Sequence, residues 1–193
     1  MSNNSGYSPI RSTTDLNQSL VYSFWSSALW HVLIGTVLLS CIGSTMHFAY
    51  AWTGCHPAAA LPFAVNESVY EHMKIMLFPI LVWWLCCGLP EECVIALYSA
   101  AAALLLGDAL LVGLNFACLG TDITLFVLSI GYGQYAGWAW LKQIETRMYQ
   151  WLYSLLLLLM IVMLCACTYS PPHTPLFADP NTHAYGRPVN CTR

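Results

Sequence analysis

The stretch NESVYEHMKIMLFPILVWWLCCGLPEE, residues 66–92, decides how the whole chain is read. Asn66 suits a helix N-cap, and the apolar run after Lys74 reaches Cys87 without another charge. Gly88 suits the C-terminal cap, while Pro90, Glu91 and Glu92 suit the first turn of a following helix. The stretch therefore predicts a helix over 67–87 joined by a tight turn to a second, antiparallel one. Only thirteen uncharged residues lie between Ile75 and Cys87 inclusive. That is about 20 Å of helix against a hydrocarbon core about 30 Å thick. A membrane span must then recruit the turns that carry Glu67, Glu71, His72 and Lys74, and charge at that depth is costly unless partnered.

Composition says that lipid is the solvent. Hydrophobic residues make up 58% of the 193 and charged residues 8%, whereas soluble domains carry about 25% charged residues. So few charges cannot cover a water-exposed surface, and the lipid bilayer is the expected partner. A net charge of −3 with no basic patch excludes nucleic acid as a partner.

Working outward, residues 1–27 read as a polar N-terminal tail. The run 28–52 is interrupted only by His31 and His47 and is long enough to span. Ala49-Tyr50-Ala51 has the small-residue spacing of a signal-peptidase site, but the long polar leader predicts a retained helix. A third helix runs to about Leu114, broken only by Asp108. Thr121-Asp122 opens a fourth that ends near Trp140, and KQIETR (142–147) separates it from a fifth over Met148–Tyr169, which Pro171 and Pro172 stop. The expectation is an all-α, polytopic membrane helix bundle of about five transmembrane helices over 28–170. In the tail, 171–193, Pro171, Pro172, Pro175 and Pro180 restrict the chain and Leu176 and Phe177 give it something to bury, so it is expected to dock on one membrane face. Arg11, Lys142 and Arg147 fall on one face of such a bundle and Arg187 and Arg193 on the other, a slight lean toward a cytosolic N-terminus.

The nine cysteines lie mostly in apolar runs, where they serve as small hydrophobes. No CxxC occurs, and Cys86-Cys87 and Cys165-x-Cys167 lack zinc-ligand spacing. Cys86, Cys87 and Cys93 flank a turn and are candidates for acylation. Pairing is left open.

The candidate site grows from helix two. At 100° per residue, Glu67, Glu71 and Lys74 share an arc of about 60°, with His72 about 100° away. His47 and Asp108 each sit about 8–9 Å inside the same end of their helices. Asp122 opens helix four there, and the tail brings His173, Asp179 and His183. Glu67, Glu71 and Lys74 are thus candidates for proton transfer, and His47, His72, Asp108 and His173 for ligands of a divalent metal. A simpler account makes Glu67 and Glu71 dipole-favoured acids in a capped first turn, with Lys74 the i+3 partner of Glu71. It explains Glu67 but not the matched depth of His47 and Asp108. No HExxH is present, and Ser68, with His72 at i+4, lacks an orienting acid. Glu91, Glu92, Glu145 and Arg147 read as solvated turn residues and His31 as interfacial. Gly133-x-x-x-Gly137 is a weak signal of close helix packing.

Three function classes stay open. One is a membrane-embedded, metal-dependent, hydrolase-like enzyme acting on a lipid or another amphipathic substrate. The second is a proton- or ion-linked transporter subunit with Gln134 on its path, which five helices would complete only as a homo-oligomer. The third is a structural or assembly protein whose buried ionic network fixes helix register.

The segments HFAYAWTG (47–54), VNESVYEHMKIMLFP (65–79), DITLFVLSIGYGQY (122–135) and TYSPPHTPLFADPNTHAYG (168–186) carry a resemblance. Over about residues 28–186 the chain resembles a family of small, mostly bacterial integral membrane proteins with a domain of unknown function. The family usually has tryptophan where this chain has Tyr70. The resemblance implies an integral membrane protein with the tail as part of the fold. It implies no reaction.

Overall fold

The computed structural model describes residues 29–87, 90–116, 118–140 and 150–186. The N-terminal tail, the Gly88 cap, the 142–147 link, residues 187–193 and the side chain of His31 lie outside the described residues. Five long helices are present among the described residues. A π-helical turn at Leu29–Ile34 leads into α1, Gly35–Trp52, and α2 covers Val69–Cys87. Then come α3, Pro90–Gly113, α4, Leu119–Trp140, and α5, Gln150–Tyr169. Short 3-10 turns occupy Pro57–Ala60 and Pro175–Phe177, and the only strand-like feature among the described residues is one antiparallel bridge between Ala178 and Tyr185. The protein is an all-α helical bundle.

Among the described residues, four stretches are long and apolar enough to cross a membrane: Val32–Trp52, Val69–Cys87, Glu91–Gly113 and Trp151–Tyr169. The expected fifth, α4, has 22 residues, or about 33 Å at 1.5 Å each. Its length suffices, but Thr121, Asp122, Thr124, Ser129, Gln134 and four glycines dilute its apolar character. The five helices of the sequence reading are thus present, and four of them meet both conditions.

α2 is the central helix. The bundle buries 56% of its span, against 17–28% of the other three, and Ile75, Met76, Leu77, Ile80 and Trp84 form the heart of the core. The outer helices turn apolar groups outward instead. Leu155, Leu158, Leu159, Val162 and Met163 of α5 and Leu106, Leu110 and Val112 of α3 are all exposed. Apolar surface this continuous is a liability in water and is satisfied by lipid.

Small residues set the close approaches. A Cβ on Gly133 would stand 2.7 Å from the Ala96 carbonyl and 2.8 Å from Ala100 Cβ, and one on Gly137 would stand 2.7 Å from the Trp84 ring. The Gly133/Gly137 pair therefore does bring α4 tightly onto α3. On α2, Pro79 has no N–H to give the Ile75 carbonyl four residues back. That carbonyl lies 3.0 Å from where a Gly43 side chain would begin, so α1 packs against the interrupted rung. At the other end, Glu91 and Glu92 are 7% and 4% exposed rather than solvated, because the first turn of α3 is packed into the bundle.

Candidate functional site

Helix α2 begins at Val69, two residues later than the sequence suggested. The cause is local competition for the backbone. Asn66 Oδ1 accepts the Ser68 N–H at 2.9 Å, an Asx turn, and Ser68 Oγ accepts the Glu71 N–H at 3.4 Å as an N-cap does. Glu67 therefore lies outside the helix and does not share a face with Glu71 and Lys74. The single cluster expected from helical angles splits into two groups.

The first group is a buried clamp. Lys74 Nζ stands 2.6 Å from Glu71 Oε2, with the two side chains 0% and 3% exposed. Each also holds the connection between α1 and α2: Lys74 donates to the Ala60 carbonyl at 2.7 Å, and Glu71 Oε2 accepts the Val65 N–H at 3.0 Å. Ala60 and Val65 belong to a small satellite core with Tyr50, so the clamp pins a packed loop to α2. The Lys74 ammonium also sits 5.9 Å from the centroid of the Tyr70 ring, within cation–π range. Excess charge and excess hydrogen-bonding capacity are thus both accounted for inside the protein.

The second group is half-open. His47 Nε2 lies 3.1 Å from Glu67 Oε1 and His72 Nε2 lies 3.7 Å from Glu67 Oε2, with side chains 20%, 38% and 45% exposed for His47, His72 and Glu67. The two imidazoles stack with centroids 5.3 Å apart and planes 12° apart. One ligand atom from each of the three residues falls within 4.8 Å of the others. Zinc bonds of about 2.0–2.2 Å in a tetrahedral arrangement separate ligand atoms by about 3.3–3.5 Å. Ligand atoms within 4.8 Å of one another would have to close by up to about an ångström to reach that spacing.

Its surroundings are acidic. Asp108 on α3 and Asp122 on α4 both act electrostatically on His72, and on each other, without joining the three converging ligand atoms. His173 is placed elsewhere: it is exposed, with its ring 4.6 Å from Tyr185 within the tail. The bundle thus brings together His47, Glu67 and His72, keeps Asp108 nearby, gives Glu71 and Lys74 to the clamp, and leaves His173 apart.

The tail positions the second group from behind. Phe177 is buried and packs at 4.7 Å on Tyr70, whose hydroxyl donates to the Leu164 carbonyl of α5 at 2.8 Å. Asn66 Nδ2 donates to the Gly186 carbonyl at 3.1 Å, and Asp179 Oδ2 accepts the Glu67 N–H at 3.5 Å. Asp179 Oδ1 meanwhile accepts the N–H groups of Asn181 and Thr182, which fixes its own turn. Asn66 and Asp179 are therefore positioning residues, one for each side of Glu67. The sequence marks such a role only through Asx-turn chemistry, Asn before Glu-Ser and Asp before Pro-Asn.

The model of DUF6512, a family of unknown function, matches residues 21–187. The chain belongs to that family. No curated protein and no solved structure is detectably similar to it. The matched region of this DUF6512 protein takes in the clamp, the converging triad and the docked tail.

Proposed function

We propose that this DUF6512 protein is an integral membrane protein, with α4 as a fifth span, that binds a divalent metal ion through His47, Glu67 and His72 in a hydrolase-like site at one membrane boundary. The observation that carries the reading is the convergence of two imidazole nitrogens and one carboxylate within 4.8 Å. Two histidines and a carboxylate suit zinc or non-haem iron. Glu67, Asp108 and Asp122 favour a cation there, and the Lys74 ammonium is already neutralised by Glu71. A bound divalent ion would supply Lewis-acid polarisation or an activated water. The chain's own groups bind and orient: the clamp holds the loop, and the tail holds Glu67. Phe48 and Trp52, 59% and 68% exposed, follow His47 on α1 and offer an apolar rim. The substrate class this fits is amphipathic, with its polar end at the triad and its apolar end in lipid. In this reading Glu71 and Lys74 build the site and take no part in proton transfer.

The test is elemental analysis of protein purified in detergent without chelators. About one equivalent of a transition metal per chain is expected, as for a site whose ligands are pre-placed. A metal-free preparation that also takes up none on dialysis against zinc, iron or manganese would end the reading.

A second reading, ion- or proton-linked transport, is favoured by one specific observation. Gln134 is fully buried with neither end of its amide hydrogen-bonded, and the hydroxyls of Ser40 and Ser129 are likewise buried and unpartnered. Gly35 faces Gln134 and Gly43 faces Phe126, so α1 and α4 run antiparallel, a register that sets Ser40 level with Ser129. Polar groups along a seam inside an apolar bundle are what an ion or proton path requires. Reconstituted vesicles should then show proton or sodium flux that Gln134→Leu removes. Flux no greater than in protein-free vesicles eliminates this alternative.

A further inference from the structure

We infer that the membrane boundary carrying His47, Glu67 and His72 faces an oxidising, non-cytosolic compartment, so that the site draws its cation and substrate from outside the cytosol. The part about cation and substrate rests on the metal-site reading, whereas the orientation stands without it. Cys55 is disulfide-bonded. It lies three residues past the end of α1, in the loop that the Glu71–Lys74 clamp holds, and its backbone is tied to Tyr50 by two hydrogen bonds, Cys55 N–H to the Tyr50 carbonyl and Tyr50 OH to the Cys55 carbonyl. Disulfides form and persist in oxidising compartments and are rare where thioredoxin and glutathione keep thiols reduced.

At the other end of the bundle the cysteines among the described residues are all free. Cys86 and Cys87 close α2 and Cys93 lies in the first turns of α3, and all three are free thiols although one helical hairpin brings them to the same end. The Cys55 disulfide marks its own boundary as the oxidising side; free thiols occur at both ends, with Cys118, Cys165 and Cys167 at that of Cys55, and do not discriminate between them. The charge count agrees. The sequence places Arg11, Lys142 and Arg147 on the Cys86 side against Arg187 and Arg193 on the Cys55 side, a slight lean toward a cytosolic Cys86 side. Helix geometry then carries the site along. His47 is five residues before the end of α1 and His72 is in the first turn of α2, so both lie within about 8 Å of the Cys55 boundary.

Cys118 supplies a reporter. It is an exposed free thiol just before α4, on the same boundary as Cys55, and its thiol is lowered from the ordinary cysteine range by hydrogen bonds from the Thr121 side chain and backbone. Intact cells producing the full-length protein are treated with a membrane-impermeant maleimide, before and after permeabilisation. With Cys86, the exposed thiol of the opposite boundary, replaced by serine throughout, Cys118 should label equally in both, with the signal lost in Cys118→Ser. Should Cys118 resist the reagent in both states, Asn181→Cys in the Cys118→Ser background moves the reporter to the exposed tail on the same boundary. Labelling of either thiol only after permeabilisation overturns the orientation, whatever the metal content of the protein. Alkylation with and without prior reduction gives an independent reading: Cys55 should gain the alkyl group only after reduction, and full alkylation without reductant equally overturns the proposal.

Discussion

Replacing Glu71 by glutamine is expected to destabilise the detergent-solubilised protein by about 3–5 kcal/mol, because Lys74 is left as an uncompensated charge in the interior. Burial decides the size of the effect. A solvated pair of the same residues would be worth about 0–1 kcal/mol, but these two are 3% and 0% exposed. The amide retains a group able to accept the Val65 N–H, so the loss isolates the charge rather than the loop contact. Adding Lys74→Met removes the stranded ammonium and should restore part of the stability. Recovery stays incomplete, since the Ala60 carbonyl then loses its donor and sits at a residue with no exposed surface. Thermal unfolding followed by monodispersity on gel filtration reads all three proteins. Equal midpoints for wild type and Glu71→Gln would show that the clamp contributes nothing and that the loop is held by its own small core.

Much of the architecture was legible because it depends on quantities a sequence states openly. Charge content, run length, the Gly88-x-Pro90 stop and the Pro171-Pro172 stop are local, and each marks a helix boundary on its own terms. The site was legible only in its membership. His47, Glu67, His72 and Asp108 were all candidates, but their partition depended on where α2 starts. The reading through Asn66 as N-cap extended the helix by two residues and put Glu67 on the Glu71–Lys74 face. In the structure the Asn66 and Ser68 side chains accept the Ser68 and Glu71 backbone N–H groups, which delays the helix and frees Glu67 to meet His47, 20 residues earlier. Partners that are backbone atoms, such as the Val65 N–H and the Ala60 carbonyl, carry no residue-type signal at all. The burial of Glu91 and Glu92 and the bonding of Cys55 were hidden for a similar reason: both depend on which elements pack around a turn.

Glu67→Gln separates a metal site from a hydrogen-bonded surface cluster, and the expected effect is large in one measurement and small in another. Glutamine matches glutamate in size and can still bond to His47, but it is a poor ligand for a divalent ion between two neutral imidazoles. Loss of a group that merely orients a ligand costs metal sites about 10–100-fold in affinity, so removal of the anionic ligand itself should cost at least that. Without metal, the exchange touches a pair 20% and 45% exposed, worth about 0–1 kcal/mol as a surface interaction. Metal that binds only the folded state adds about 2.7 kcal/mol at a free concentration 100 times its Kd. The unfolding midpoint of the wild-type protein should therefore fall when a chelator is added. That of Glu67→Gln should start near the chelated wild-type value and barely move. His72→Ala should behave as Glu67→Gln does, whereas His173→Ala, whose ring lies on Tyr185 away from the triad, should respond to chelator like the wild type. A wild-type midpoint indifferent to chelator, or a Glu67→Gln protein that holds metal as tightly as its parent, would leave the triad a pair of histidines sharing one carboxylate and nothing more.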